Sequence, residues 1–243
     1  ASQFLDGVVG NHAPKELREA FLQSGPEAIV TLESQSEVHF RPYPHHPDYE
    51  QHIEGATTCG RALEPLPFDG RLLGAALSAI RPPIPEFTIF DGMMVDRTDI
   101  GHLLNLSKKW TSFKHAIKIL SLYGFDRLRG SKRGSRLVMG NALIGRFLKS
   151  LLENNVDIML QAEVNALETD AGRVTGLTVF QDGVTRVLLA ERGVVLAAGG
   201  FNHHPEKRKV LLHSPMTDYS PSAPGHTGSM QDLALALGAH FAD

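Results

Sequence analysis

Apolar positions in the first two thirds of the chain recur at helical spacing. Leu17, Ala20 and Phe21 behind Pro14 predict a helix to about Ser24, stopped by Gly25-Pro26, with Pro26 opening a second helix from Glu27 to about Glu33. Val38–Arg41 reads as a short strand and Leu72–Ile80 as a helix ended by Arg81-Pro82-Pro83. Residues 84–135 read as mostly helical, most clearly at Ile100–Leu106 and Trp110–Tyr123. Gly140-Asn141 then precede a helix from Ala142 to Asn154, on which Leu143, Ile144, Phe147, Leu148, Leu151 and Leu152 form one apolar stripe.

After Asn155 the period changes. Val156–Leu160 and Gly193–Ala197 are short apolar runs of the kind that suits strands buried on both faces of a parallel sheet. Between them, Val164–Leu167, Val174–Phe180 and Val184–Ala190 predict a three-stranded antiparallel meander over about residues 164–190. Its turns fall at Asp170-Ala171-Gly172 and Gln181-Asp182-Gly183. The second buried run ends on Ala197-Ala198-Gly199-Gly200, almost without side chains, which lets another backbone or a ligand approach closely. A tight turn after a core strand accounts for the same four residues. A helix from Pro205 to about Leu212, a proline-rich loop over 213–226 and a helix from Thr227 or Ser229 to Leu237, stopped by Gly238, complete the pattern. The fold class expected is α/β, with ligands at the carboxyl ends of the strands. The division expected is a helical, loop-rich part over 1–136 and an αβ core over 137–243.

Composition narrows the function. The chain has 243 residues, 42% of them apolar, and a formal net charge of −3, which gives no case for nucleic acid. Cys59 is the single cysteine, so no intrachain disulfide forms and a cytosolic setting fits. No apolar run approaches the roughly 20 residues of a membrane span, and the first residues have no signal-peptide layout. His45, His46, Asp48 and His52 raise the question of a metal, but their spacing matches no usual zinc arrangement, and an exposed loop is the better reading. The basic run Arg127, Arg129, Lys132, Arg133 and Arg136 reads as a mobile loop rather than an anion site. None of Tyr43, Tyr49, Tyr123 and Tyr219 is singled out by its spacing as an acid or base.

The order of helix, strand, meander, Ala-Ala-Gly-Gly-Phe and Gly-His-Thr-Gly carries a resemblance. So do Asp48-Tyr49, Gly60-Arg61 through Pro67-Phe68-Asp69, and Gly140-Asn141-Ala142-Leu143-Ile144-Gly145-Arg146. Together these segments resemble the flavin domain of the succinate dehydrogenase/fumarate reductase flavoproteins, and within it the 3-ketosteroid dehydrogenase branch. The resemblance implies an FAD/NAD(P)-binding, Rossmann-like domain with the meander inserted. It also implies FAD as cofactor and hydrogen removal or addition across a carbon–carbon bond next to a carbonyl, on a steroid-like or other small carbonyl substrate. It places Glu163 and Val164 beside the adenosine half of FAD. Ala197, Ala198, Gly199 and Gly200 fall along the ribose and diphosphate, and Thr227, Gly228 and Ser229 near the flavin. His226, just before Thr227, would lie close to the cofactor.

The chain departs from the family in places. Thr-Gly-Asp-Gly reads Thr227-Gly228-Ser229-Met230, in which Ser229 keeps the ability to cap a helix. The Gly-x-Gly-x-x-Gly that holds the FAD diphosphate is missing. The phosphate-binding βαβ unit, the capping domain and the catalytic residues of the family are absent, so the expectation is a middle fragment, inactive alone and prone to self-association. The alternative is a non-catalytic module that keeps the fold and no longer binds FAD.

Overall fold

The computed structural model describes residues 1–241. The chain forms two compact units, Ala1–Ile158 and Met159–Asp243.

The first unit opens on α1 (Ser2–Val9), which the apolar pattern does not announce, and α2 (Lys15–Gln35). The helix break expected at Gly25-Pro26 does not occur, and Pro26 lies inside α2. The φ of proline is compatible with a helix, and α2 continues through Pro26 although it gives up its own N–H bond and crowds the carbonyl one turn back. Paired strands β1 (Phe40–Pro42) and β2 (Leu63–Pro65) follow, then β3 (Phe68–Asp69). The helix expected at 72–80 is instead 3₁₀ turns over Gly70–Ala79, broken at Gly74, whose φ is 53°. Next come β4 (Thr88–Ile89), β5 (Met93–Met94), α3 (Arg97–Leu104), α4 (Trp110–Leu128), β6 (Arg136–Leu137) and α5 (Met139–Glu153). β3 pairs with β6 and β4 with β5, all antiparallel. The basic run is not a free loop: α4 takes up Arg127, and Arg136 in β6 is bonded to Asp99.

One core of this unit gathers Phe68, Leu73, Ile80, Met94, Leu137, Val138 and Ala142. α5 enters it with its small face. A Cβ on Gly145 would stand 2.8 Å from the Phe68 ring, so only glycine admits so close an approach. The expected apolar stripe of α5 is therefore not its buried face. Ala142, Gly145, Arg146 and Ser150 are buried, whereas Ile144 is 53% exposed. Arg146 reaches inward because its guanidinium finds three carbonyls, Leu66 O at 3.1 Å, Glu37 O at 2.6 Å and Pro67 O at 2.9 Å. Arg146→Met keeps the length and removes every donor. It is expected to cost about 3 kcal/mol, because three half-buried carbonyls lose their charged donor. Urea unfolding followed by fluorescence of Trp110, the single tryptophan, measures this.

The second unit is built on β7 (Glu163–Asp170), β8 (Arg173–Gln181) and β9 (Val184–Leu189), an antiparallel sheet in the order β7-β8-β9. Its two-residue turns fit. Ala171 and Gly172 have φ of 46° and 78°, and Asp182 and Gly183 have 51° and 79°. Positive φ at both central positions gives the turn that matches strand twist. α6 (Pro205–Leu211) and α7 (Ser229–Ala236) follow.

The strands expected at 156–160 and 193–197 are not formed, and no parallel pair exists among the described residues. Val195 is 90% exposed. An apolar run becomes a strand only when a neighbour supplies the hydrogen-bond ladder, and no described strand pairs with either run. Val194 and Leu196 instead face Leu167, Val174 and Leu237 around a cavity of about 240 Å³. Among the described residues no helix is long and apolar enough to cross a membrane.

Candidate functional site

The residues singled out by sequence all lie in the second unit, but not all together. Glu163 and Val164 open β7, opposite Phe180 and Val179 of β8. No hydrogen bond or ion pair among the described residues joins them to Ala197–Gly200. Ala197, Ala198 and Gly199 are exposed.

The turn and the start of α7 do come together, although 27 residues of chain lie between Gly200 and Gly228. The Gly228 amide donates to Gly200 O at 3.0 Å, and the His203 amide donates to His226 O at 2.9 Å. The His226 ring lies against Gly199, where a Cβ would be 2.5 Å from Nε2. Gly199 has φ of 80°, so glycine is required there both for the backbone and for the space. Gly228 is buried, with φ of 74°, and a Cβ on it would stand 3.0 Å from Phe201 Cβ and 2.7 Å from Lys207 Nζ.

The loop over 213–226 is fastened to this junction. Asn202 Nδ2 donates to Ser222 Oγ at 2.8 Å, and the His203 ring nitrogen Nε2 is 2.7 Å from Ser222 O. Arg208 on α6 donates to Asn202 O at 2.9 Å and to Thr217 O at 2.5 Å.

Gly228 is the N-cap of α7, in the left-handed conformation and without a side-chain cap. Ser229 is therefore the first helical residue rather than the cap expected of it. The first bond of the helix runs from the Asp232 amide to Gly228 O at 3.1 Å. The amides of Ser229, Met230 and Gln231 have no acceptor among the described residues, as the opening turn of a helix dictates. Bare amides and the positive end of the helix dipole form a corner suited to an oxygen-rich, negatively charged ligand.

Lys207 was not legible from sequence as part of this corner. Its one signal is position: it is a cation in the first turn of α6, where the helix dipole disfavours one. The histidines of the 42–67 loop form no metal cluster, and none exists among the described residues.

Three comparisons bear on this geometry. The model of the FAD binding domain family matches residues 2–243. The chain is 29% identical to a 3-oxosteroid 1-dehydrogenase of Mycolicibacterium smegmatis, covering 98% of this chain and 42% of that protein. It is 33% identical to a 4-oxocyclohex-2-ene-1-carboxylate 5-dehydrogenase of Sinomonas cyclohexanicum, over 92% of this chain and 38% of that one. Among solved structures, a 3-ketosteroid Δ1-dehydrogenase of Sterolibacterium denitrificans, in complex with 1,4-androstadiene-3,17-dione, superposes with a TM-score of 0.86 at 29% identity. That match covers 99% of this chain and 44% of the other. The chain thus spans about 40% of the length of these relatives. With the match running over residues 2–243, the chain belongs to the FAD binding domain family.

Proposed function

We propose that this chain is the cofactor-holding part of an FAD-dependent dehydrogenase that desaturates a carbon–carbon bond next to the carbonyl of a cyclic ketone. The observation that carries the reading is the Gly200–Gly228 junction, found in a chain that belongs to the FAD binding domain family. The relatives' names point the same way, since each describes dehydrogenation of a cyclic oxo compound.

The donor set fits the dinucleotide. Gly199, Gly200 and Gly228 present backbone without side chains, and the amides of Ser229, Met230 and Gln231 are unpaired. In this reading Ala197–Gly200 run along the ribose and diphosphate, and Thr227, Gly228 and Ser229 approach the flavin. Glu163 and Val164 meet the adenosine. Met230 is half-buried, and its flexible thioether accommodates a neighbouring ring. FAD supplies the acceptor for the hydride removed from the substrate. The residues of this chain bind and orient it: amides and a helix end meet its negative charge, and the His226 ring closes the turn from one side.

The substrate class is tested with intact protein. Anaerobic addition of a 3-oxosteroid is expected to bleach the oxidised-flavin absorption. Bleaching by 4-oxocyclohexanecarboxylate and not by the steroid would shift the assignment to the small cyclic ketones. Flavin that neither substrate bleaches would contradict the proposed reaction.

A further inference from the structure

We infer that Lys207 is a positioning residue for the cofactor corner, holding the start of α7 open for a ligand; the inference rests on the FAD reading above. The Lys207 side chain is only 17% exposed. Its ammonium donates to Gly228 O at 2.9 Å and lies 2.6 Å from Asp232 Oδ1. Gly228 O thus accepts twice, from Lys207 and from the Asp232 amide, and both its lone pairs are used. The third ammonium proton has no acceptor among the described residues.

A helix start is ordinarily secured by a Ser, Thr, Asp or Asn at the N-cap, whose side-chain oxygen occupies one of the bare amides. Here two hydroxyl residues, Thr227 and Ser229, flank the N-cap, and neither caps. The N-cap is glycine, fixed from outside by Lys207. The end of α7 is therefore secured while its own donors stay free. A cation at the positive end of a helix is unfavourable by itself. Asp232, in the first turn of α7, and the Gly228 carbonyl offset it. Ordering a long, flexible side chain and placing a charge against a dipole are both costly. The gain is a rigid corner of amides, with one further charged donor, for a phosphate or carbonyl oxygen.

The test uses the intact protein and the Lys207→Met, Lys207→Arg and Asp232→Asn variants. Lys207→Met keeps the packing of the aliphatic stem and loses the ammonium. Its FAD affinity, read by quenching of flavin fluorescence, is expected to fall about tenfold, as loss of a charge-assisted donor predicts. Lys207→Arg restores most of that loss, which a purely packing role would not require. Asp232→Asn weakens FAD binding less than Lys207→Met, because Gly228 O still holds the ammonium. In the flavin-free protein, hydrogen exchange at the Gly228 amide accelerates in Lys207→Met, while exchange in β7–β9 is unchanged. FAD affinity in Lys207→Met equal to that of the parent overturns the inference, as does unchanged exchange at Gly228. If the parent itself binds no FAD, the FAD reading fails, and exchange at Gly228 alone decides whether Lys207 holds this corner.

Discussion

Asp99→Ala is expected to destabilise the first unit by about 3–5 kcal/mol, enough to unfold a marginal domain. Asp99 is fully buried and its carboxylate is saturated. Oδ2 accepts from the Asp96 amide at 2.8 Å and from Arg136 Nη1 at 2.8 Å. Oδ1 lies 2.7 Å from His115 Nε2 and accepts from Arg136 Nη2 at 3.2 Å. One side chain therefore closes the capping box of α3, anchors β6 through Arg136 and orients His115 on α4. Alanine strips the half-buried guanidinium of its bidentate partner, leaving only the longer ion pair to Asp96 at 3.6 Å, and leaves the Asp96 amide without its acceptor in the cap. Urea unfolding monitored at Trp110 on α4 measures the loss. Asp99→Asn is expected to cost less, since the amide oxygen still caps.

The same residue sets an acid limb. Burial raises the pKa of Asp99, but the Asp96 amide, His115 and Arg136 outweigh it and hold the carboxyl below its usual range. A depressed folded pKa stabilises at pH above the unfolded value, about 3.9. That contribution fades as the pH falls through the lower folded value. Asp99→Asn is expected to flatten this limb, and unfolding free energies measured between about pH 5 and pH 2 would reveal it. An unchanged acid limb would mean that other carboxylates govern it.

Gly228→Val carries the second large effect. With φ of 74°, a branched side chain pays for the left-handed backbone and also meets Phe201 Cβ and Lys207 Nζ, both within 3.0 Å of the first added carbon. The backbone term alone is about 1–2 kcal/mol, and displacing Lys207 breaks its bond to the N-cap carbonyl. A total of about 3 kcal/mol or more is expected in the second unit. Hydrogen exchange in 197–232 is the appropriate measurement, because two units need not melt as one transition. Under the proposed function, flavin is lost with it. Gly228→Ala shows the same effects in smaller measure.

The parts of this fold that sequence revealed are those whose cause is local. The meander is legible because Asp182-Gly183 and Ala171-Gly172 dictate tight turns between alternating strands. α7 is legible because Gly238 stops it. The errors have non-local causes. Val156–Leu160 and Gly193–Ala197 look like strands by composition, yet a strand also needs a neighbour. The apolar stripe of α5 looks like a core face, yet Gly145 lets the opposite face approach Phe68 more closely, and Arg146 finds carbonyls that no periodicity could announce. In the site, the glycines were legible because missing side chains are visible in a sequence. Lys207 was not, because a lone lysine in a short helix reads as solvated, and only the folded loop over 213–226 brings Gly228 to it.

In the proposed function, the junction of Ala197–Gly200 with Thr227–Ser229 belongs to an FAD site. The most direct test is the visible absorption spectrum of the intact protein beside its Gly228→Val variant, each with added FAD and after removal of unbound flavin. Oxidised-flavin bands at one equivalent per chain are expected in the parent, and their loss in the variant. A parent that stays colourless would contradict the claim, as would a variant that holds flavin as the parent does.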